Sequence, residues 1–129
     1  MRTGVVKIAL IDSHPLMREC ILNYLSAFDY FIIQQAADGK ELISQLTQDN
    51  VPDICLLEFN ARKKVGYETI KTLKTIWPNM KVVIYSMLPG PVENKTHVSG
   101  ADVALPYQTS LATLTCTLEQ LVDQQPVLY

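Results

Sequence analysis

The sequence predicts a single α/β domain, in which helices cover both faces of a five-stranded parallel sheet. Short apolar runs of strand length alternate with segments of helical period along the whole chain. Most of these runs are apolar at consecutive positions, which is typical of strands buried on both faces. A chain of 129 residues, 48% of them hydrophobic, suffices for one such core. Successive strand–helix units with right-handed crossovers then give a three-layer sandwich.

The first strand and helix are predicted on either side of a short polar break. Residues 5–11 are almost wholly apolar and form the strand, and residues 12–15 end it. Pro15 suits the first turn of a helix, with Ser13 or His14 near its cap. Apolar side chains at helical spacing predict the inner stripe of this helix: Leu16, Cys20, Ile21, Tyr24, Leu25 and Phe28.

Two further strands and a helix complete the first half of the chain. Residues 30–37 predict the second strand, which ends at the turn signal Asp38-Gly39. The second helix follows and is expected to end near residue 50. Residues 54–59 are predicted to form a third, buried strand.

The second half repeats the alternation. Gly66 opens a third helix, whose inner face is predicted to hold Thr69, Ile70, Leu73, Ile76 and Trp77. Residues 81–87 form the fourth strand, residues 92–99 a weak helix, and residues 101–105 a short fifth strand. Thr109 or Ser110 is expected to cap a last helix with the inner face Leu111, Leu114, Leu118, Leu121 and Val122. The domain is predicted to span residues 1–123, with residues 124–129 as a tail or the start of a linker.

Composition excludes several classes of protein. Eleven basic and thirteen acidic residues give a net charge of -2, which argues against direct nucleic-acid binding by this domain. No run of about 18 apolar residues predicts a membrane-spanning helix, and the first apolar run is too short for a signal peptide. We therefore expect a cytoplasmic protein without membrane contacts. The chain has three cysteines, an odd number, and they are far apart in the sequence: Cys20, Cys55 and Cys116. They are expected to be reduced and mostly buried.

Polar residues follow several of the predicted strands. In open parallel sheets, the functional site lies at the carboxyl ends of the strands, near the switch in strand order. This rule selects Asp12-Ser13 and residues 58–60, 86–87 and 105–107. His14 is expected to cap the first helix or lie on the surface rather than bind metal, and Cys55 is expected to be an inert core residue.

Six segments, in this order and spacing, resemble the receiver domain of bacterial two-component response regulators: residues 7–18, 37–42, 52–58, 66–69, 78–87 and 100–102. The resemblance covers residues 5–123 and is strongest to receivers that precede a LuxR/NarL-type DNA-binding module. It implies a flavodoxin-like fold with strand order 2-1-3-4-5. It also implies a phosphate-operated switch: an aspartate accepts phosphate from a histidine kinase, an acidic pair holds Mg²⁺, and a hydroxyl and a lysine contact the phosphate.

This chain departs from that pattern at most of the implied positions. The phosphoacceptor position is Glu58, the acidic pair is Asp12-Ser13, and the lysine position is Tyr107, whereas Ser86 fits the hydroxyl role. Glutamate is one methylene longer than aspartate, and about 1 Å of misplacement can cost on the order of a hundredfold in rate. A weak or absent Mg²⁺ site is expected at Asp12, Glu58 and Asn60. No other cofactor is expected.

The sequence therefore predicts a degenerate receiver domain that is not an enzyme and works independently of phosphorylation. Its expected partners are proteins: a sensor kinase, an output domain, or a second copy of the chain. A homodimer is expected through the last helix, or through the face formed by residues 92–99, the fifth strand and the last helix. A DNA-binding output module is expected to follow residue 129.

Alternatives remain open at this point. Glu58 is interpreted as a solvated acid at the end of a strand rather than as a mimic of phosphoaspartate. Its single charge makes any mimicry partial, and mimicry also needs the cation that is missing at the lysine position. Tyr107 either hydrogen-bonds Glu58 or Ser86 or packs on the last helix. A second hypothesis keeps phosphorylation at Glu58 or a nearby acid. A third is a flavodoxin-like cofactor-binding protein, which needs a phosphate cradle that residues 12–15 do not supply.

Overall fold

A computed structural model describes residues 5–59, 66–86, 100–106 and 108–123. Its five strands form one parallel sheet in the order β2-β1-β3-β4-β5. The strands are β1 (Val6–Ile11), β2 (Tyr30–Ala36), β3 (Ile54–Phe59), β4 (Lys81–Ser86) and β5 (Val103–Leu105). The predicted flavodoxin-like architecture and strand order are thus confirmed.

Four helices are described: α1 (Pro15–Leu25), α2 (Gly39–Gln45), α3 (Tyr67–Ile76) and α4 (Leu111–Asp123). α2 is shorter than predicted, because the backbone becomes extended at Leu46. The predicted helix at 92–99 and the tail at 124–129 lie outside the described residues. Within the described ranges, none of the helices is both long and apolar enough to cross a membrane.

The core consists of two apolar layers, one on each face of the sheet. On what we call the α1/α4 face, alternate strand residues pack against the buried side chains of α1 and α4: Ile21, Leu25, Leu114, Leu118, Leu121 and Val122. On the α2/α3 face, the other strand residues pack against Leu42, Ile70 and Leu73. Because successive strand side chains point to opposite faces, the nearly continuous apolar runs supply both layers.

The N-terminal ends of the helices follow the predicted signals. Pro15 occupies the first turn of α1, and Gly66 precedes α3 with a φ of 104°, a conformation that favours glycine. Ser110 Oγ accepts from the Thr113 amide at 3.1 Å, as expected for the cap of α4. At α2, Asp38 Oδ1 accepts from the Glu41 amide at 2.8 Å, and Glu41 Oε2 accepts from the Ala37 amide at 2.9 Å.

α2 lies very close to α3 at one position. A Cβ atom added to Gly39 would lie 1.8 Å from Thr69 Oγ1, inside its van der Waals surface. A side chain at residue 39 therefore requires one of the two helices to move.

The predicted inner stripe of α1 is wrong at three positions. Leu16 is 82% exposed, Phe28 is 42% exposed, and Cys20 is also exposed. Leu16 precedes Ile21 by five residues, which places it about 140° from the buried face of the helix. Phe28 lies beyond the end of the helix.

Two smaller predictions are also corrected. Cys20 and Cys116 are both exposed, so only Cys55 fits the expectation of buried thiols. Ile76 lies in the last turn of α3 and is 52% exposed, whereas Trp77 packs partly buried against the α2/α3 layer, as predicted.

The pairing of the edge strand β2 with β1 contains an irregularity. Ile8 pairs with Ile32, but the next residue, Ala9, pairs with Gln34. Ile33 is therefore an extra residue in β2, and the ladder is interrupted there.

Candidate functional site

Three polar side chains converge where β1, β3 and β4 end. Asp12 continues the alternation of Ile8 and Leu10, and Glu58 and Tyr85 extend their strands toward the same α1/α4 face. Glu58 and Tyr85 are paired across β3 and β4, and β1 neighbours β3 on the other side. The structure thus brings together Asp12 and Glu58, which the carboxyl-end rule selected on separate strands.

Asp12 lies fully buried and is hydrogen-bonded at every oxygen. Its Oδ1 accepts from the His14 amide at 2.7 Å and lies 3.0 Å from His14 Nδ1. Its Oδ2 accepts from the Tyr85 hydroxyl at 2.5 Å. Arg18 Nη1 donates to the backbone carbonyl of Asp12 at 2.7 Å. Strand β4, the turn after β1 and helix α1 thus each contribute a hydrogen-bond donor to this one residue.

Glu58 is also buried, with 6% of its surface exposed. Its Oε1 accepts from the Ser13 amide at 2.5 Å, and its Oε2 lies 3.5 Å from His14 Nδ1. The interpretation of Glu58 as a solvated acid is therefore wrong. The extra methylene of glutamate lets the carboxylate reach the turn after β1, which encloses it.

Tyr85 is part of the site, although the sequence marked it only as a residue that favours strands. Burial raises the pKa of its phenol well above the ordinary value, and the hydrogen bond to Asp12 and the nearby negative charges raise it further. The phenol therefore stays protonated and acts as a donor. Its position one residue before Ser86, on the face shared with Glu58, was the signal available in the sequence.

His14 stands at the N-cap of α1, as predicted, but its side chain makes no capping hydrogen bond. The ring is 57% exposed, and its Nδ1 lies between Asp12 and Glu58. One ligand atom from each of these three residues lies within 4.8 Å of the others. His14 is therefore on the surface, as expected, but the contacts of its ring with Asp12 and Glu58 were not predicted; the spacing Asp-x-His in a strand–helix turn was the signal for them.

Comparison with known protein families supplies the deciding observation. Residues 8–114 match the response regulator receiver domain. This chain belongs to that family.

The receiver domain has curated relatives of greater length. It is 28% identical over 125 residues to a nitrate/nitrite response regulator protein homolog of Haemophilus influenzae, a match covering 95% of this chain and 60% of the relative. It is 30% identical over 91 residues to the response regulator protein VraR of Staphylococcus aureus, covering 70% of this chain and 42% of that protein. The matched part of the chain thus spans less than two thirds of the length of each of these relatives.

Solved structures support the fold of the receiver domain. A LuxR-family two-component response regulator from Aurantimonas superposes with a TM-score of 0.80 at 21% identity, over 97% of this chain and 90% of that one. The isolated receiver domain of RcsB from Salmonella enterica superposes with a TM-score of 0.78 at 16% identity, over 96% of this chain and 93% of that one.

The remaining predicted site residues of the receiver domain are less closely joined. Ser13 is exposed and contributes its backbone amide to Glu58, while Ser86 is buried at the end of β4. Asn60 and Tyr107 lie outside the described residues, so their roles stay predictions. Cys55 is fully buried, and burial raises its pKa to about 12, which fits the predicted inert core residue.

The Mg²⁺ that receiver domains bind does not fit the described donors well. Mg²⁺ prefers octahedral oxygen ligands and several waters. Here residue 13 offers no carboxylate, and the ligand atom that lies beside both Asp12 and Glu58 is the imidazole nitrogen of His14 rather than an oxygen.

Proposed function

We propose that this chain is a receiver domain that acts in two-component signalling as a protein-interaction module, without phosphorylation. One observation carries the proposal: the pocket where the phosphoacceptor would stand is closed by its own hydrogen bonds. Glu58 is held by the Ser13 amide, and Asp12 is held by Tyr85 and His14.

The chemistry of phosphoryl transfer supports this proposal. Transfer to a carboxylate requires an oxygen aligned with the phosphorus, a metal ion, and cations that balance the charge on the moving group. Glu58 offers a displaced oxygen, Ser13 removes a carboxylate from the metal site, and Tyr107 replaces a lysine. Each change alone weakens the reaction, and together they act on all three requirements.

The hydrogen bonds at the pocket also support a fixed rather than a switching state. Glu58 carries one negative charge, less than the roughly −1.5 to −2 of a phosphoryl group. It is already bonded to the turn after β1, so no added charge is needed to hold that turn. A domain with one stable pocket state serves as a constant binding surface, whose regulation comes from partners or expression level.

We propose protein partners of three kinds. The relatives are longer than this chain, which supports an output domain after residue 129 that binds DNA in the complete protein. A sensor kinase remains a partner that docks without transferring phosphate. The third partner is a second copy of the chain, joined through α4 or through the face of residues 92–99, β5 and α4.

Acetyl phosphate in the presence of Mg²⁺ tests the central proposal. We expect the intact mass of the chain to stay unchanged after incubation. The matched control is Glu58→Gln, which keeps the length of the side chain but removes its nucleophilic oxygen. A stoichiometric phosphoryl adduct that appears on the natural chain and disappears in this variant would overturn the proposal.

Light scattering coupled to gel filtration tests the proposed dimer. We expect the chain to elute at twice its 14.5 kDa mass at micromolar concentration, whether or not acetyl phosphate is added. A monomer that dimerises only with acetyl phosphate would contradict both the dimer and its independence from phosphorylation.

A further inference from the structure

The poor fit to Mg²⁺ raises the question of which cation the pocket suits. We infer that Asp12, Glu58 and His14 form a binding site for Zn²⁺ at the end of the sheet. This inference uses the distances and hydrogen bonds of the three side chains, and it does not depend on whether phosphorylation occurs.

The spacing of the ligand atoms is the first argument. His14 Nδ1 lies 3.0 Å from Asp12 Oδ1 and 3.5 Å from Glu58 Oε2. Zn²⁺ binds nitrogen and carboxylate oxygen at about 2.0–2.2 Å, so neighbouring ligands in a tetrahedron lie about 3.3–3.6 Å apart. Both distances are close to that range, and an ion can enter with small side-chain shifts.

The second argument is that each carboxylate is oriented by a donor on its far oxygen. The Tyr85 hydroxyl holds Asp12 Oδ2, which leaves Oδ1 facing His14. The Ser13 amide holds Glu58 Oε1, which leaves Oε2 facing the same nitrogen. Outer hydrogen bonds of this kind orient the ligands of metal sites and increase their affinity.

The charge of the pocket is the third argument. Asp12 and Glu58 are 0% and 6% exposed. Within the described ranges, neither forms an ion pair with a lysine or an arginine. Two buried carboxylates whose ligand oxygens lie within 4.8 Å of each other are costly without a compensating cation. A divalent ion supplies that charge at the point where both oxygens already converge.

His14 favours Zn²⁺ over Mg²⁺, and its exposed ring leaves the site accessible to solvent. Imidazole is a ligand for Zn²⁺ and similar ions, whereas sites of oxygen alone suit Mg²⁺ and Ca²⁺. The ring is 57% exposed, so solvent reaches its nitrogen and a water can complete a four-coordinate site. Binding through Nδ1 requires the neutral ring with its proton on Nε2; a hydrogen on Nδ1 leaves to solvent as the ion enters. The His14 amide stays bonded to Asp12 Oδ1, which has a second lone pair for the metal.

Calorimetric titration with Zn²⁺ tests the site. The protein is first stripped with EDTA and dialysed, and it carries Cys20→Ser and Cys116→Ser, because the exposed thiols bind Zn²⁺ on their own. We expect one ion per chain with micromolar or tighter affinity, and no saturation by Mg²⁺ at the same concentrations.

Histidine variants locate the binding. His14→Ala is expected to weaken Zn²⁺ binding at least about tenfold, since it removes a direct ligand. His97→Ala, which changes the other histidine of the chain, is the matched control and should leave the affinity unchanged. Tyr85→Phe removes only the outer hydrogen bond, and about tenfold weaker binding is expected there too.

A rise in melting temperature with Zn²⁺ gives an independent readout, expected for the protein that carries Cys20→Ser and Cys116→Ser and absent when His14→Ala is added to it. Because His14 is largely exposed, the variant should fold, and circular dichroism checks this; His14→Gln is a second variant. The inference is overturned if the parent protein binds no Zn²⁺, or if both His14 variants bind it as tightly as the parent. Neither result affects the mass measurement with acetyl phosphate.

Discussion

The Tyr85 hydroxyl donates to Oδ2 of Asp12 and thereby joins the ends of β4 and β1 across the intervening strand β3. Glu58 lies on that intervening strand, and its carboxylate is held by the Ser13 amide. A tyrosine thus occupies an acidic oxygen that a receiver domain otherwise offers to a metal ion.

Tyr85→Phe is expected to lower the free energy of unfolding by about 1–3 kcal/mol, because it leaves a buried carboxylate oxygen without its donor. Urea unfolding followed by circular dichroism measures the change. Tyr24→Phe is the matched control: Tyr24 is also partly buried, and among the described residues its hydroxyl has no hydrogen bond. Equal effects of the two substitutions would contradict a specific role for the Asp12 contact.

Restoring the missing groups should restore phosphorylation. We expect the triple variant Ser13→Asp, Glu58→Asp and Tyr107→Lys to gain one phosphoryl group from acetyl phosphate and Mg²⁺, as measured by intact mass. The variant supplies the shorter nucleophile, the second carboxylate and the cation together. Glu58→Asp alone is the control and should react far more slowly. If the triple variant stays unmodified, the lost side chains do not explain the inactive pocket.

Gly39→Ala is expected to destabilise the domain by about 1–3 kcal/mol, because the new methyl group overlaps Thr69 on α3. Lys40→Ala, at the exposed neighbouring position, should change stability by less than about 0.5 kcal/mol. Combining Gly39→Ala with Thr69→Gly removes the overlap, so the two effects should be less than additive. Full additivity in denaturant unfolding would show that the helices do not meet here.

Cysteine labelling should separate two thiols from the third. Cys20 and Cys116 are exposed and should react rapidly with Ellman's reagent at pH 8, whereas Cys55 should react only after unfolding in urea. Burial raises the Cys55 pKa to about 12, so about one molecule in ten thousand carries its thiolate at that pH. Cys20→Ser should reduce the rapid phase by one thiol. Three rapid thiols in the native protein would contradict the buried position of Cys55.

The sheet and its order could be predicted because the apolar runs of β1, β3 and β4 are unambiguous and parallel strands need crossover helices. The inner face of α4 was predicted for the same reason, since its apolar residues keep a helical period to the end. The buried face of α1 was harder to predict. Its apolar residues extend around more than one face, and the sequence does not show that only Ile21 and Leu25 face the sheet.

The sequence predicts where the candidate site lies, but not which side chains contact one another there. The carboxyl-end rule identified Asp12 and Glu58, because it depends only on where strands end. The contacts of Tyr85 and His14 depend on side-chain conformations and on how β3 pairs with β4. The Glu58 side chain was expected to be exposed to solvent, because carboxylates usually lie at the protein surface. The enclosure provided by the Ser13 amide arises from the path of the turn, which residue types do not specify.

The extra residue Ile33 in β2 affects how the molecule behaves toward its neighbours. β2 is an outer strand, and the apolar side chain of Phe31 is 60% exposed on it. A smooth outer strand of this kind is a template on which another polypeptide can add and start aggregation. The interruption at Ile33 breaks the regular row of amides and carbonyls, so an added strand finds no continuous ladder to extend.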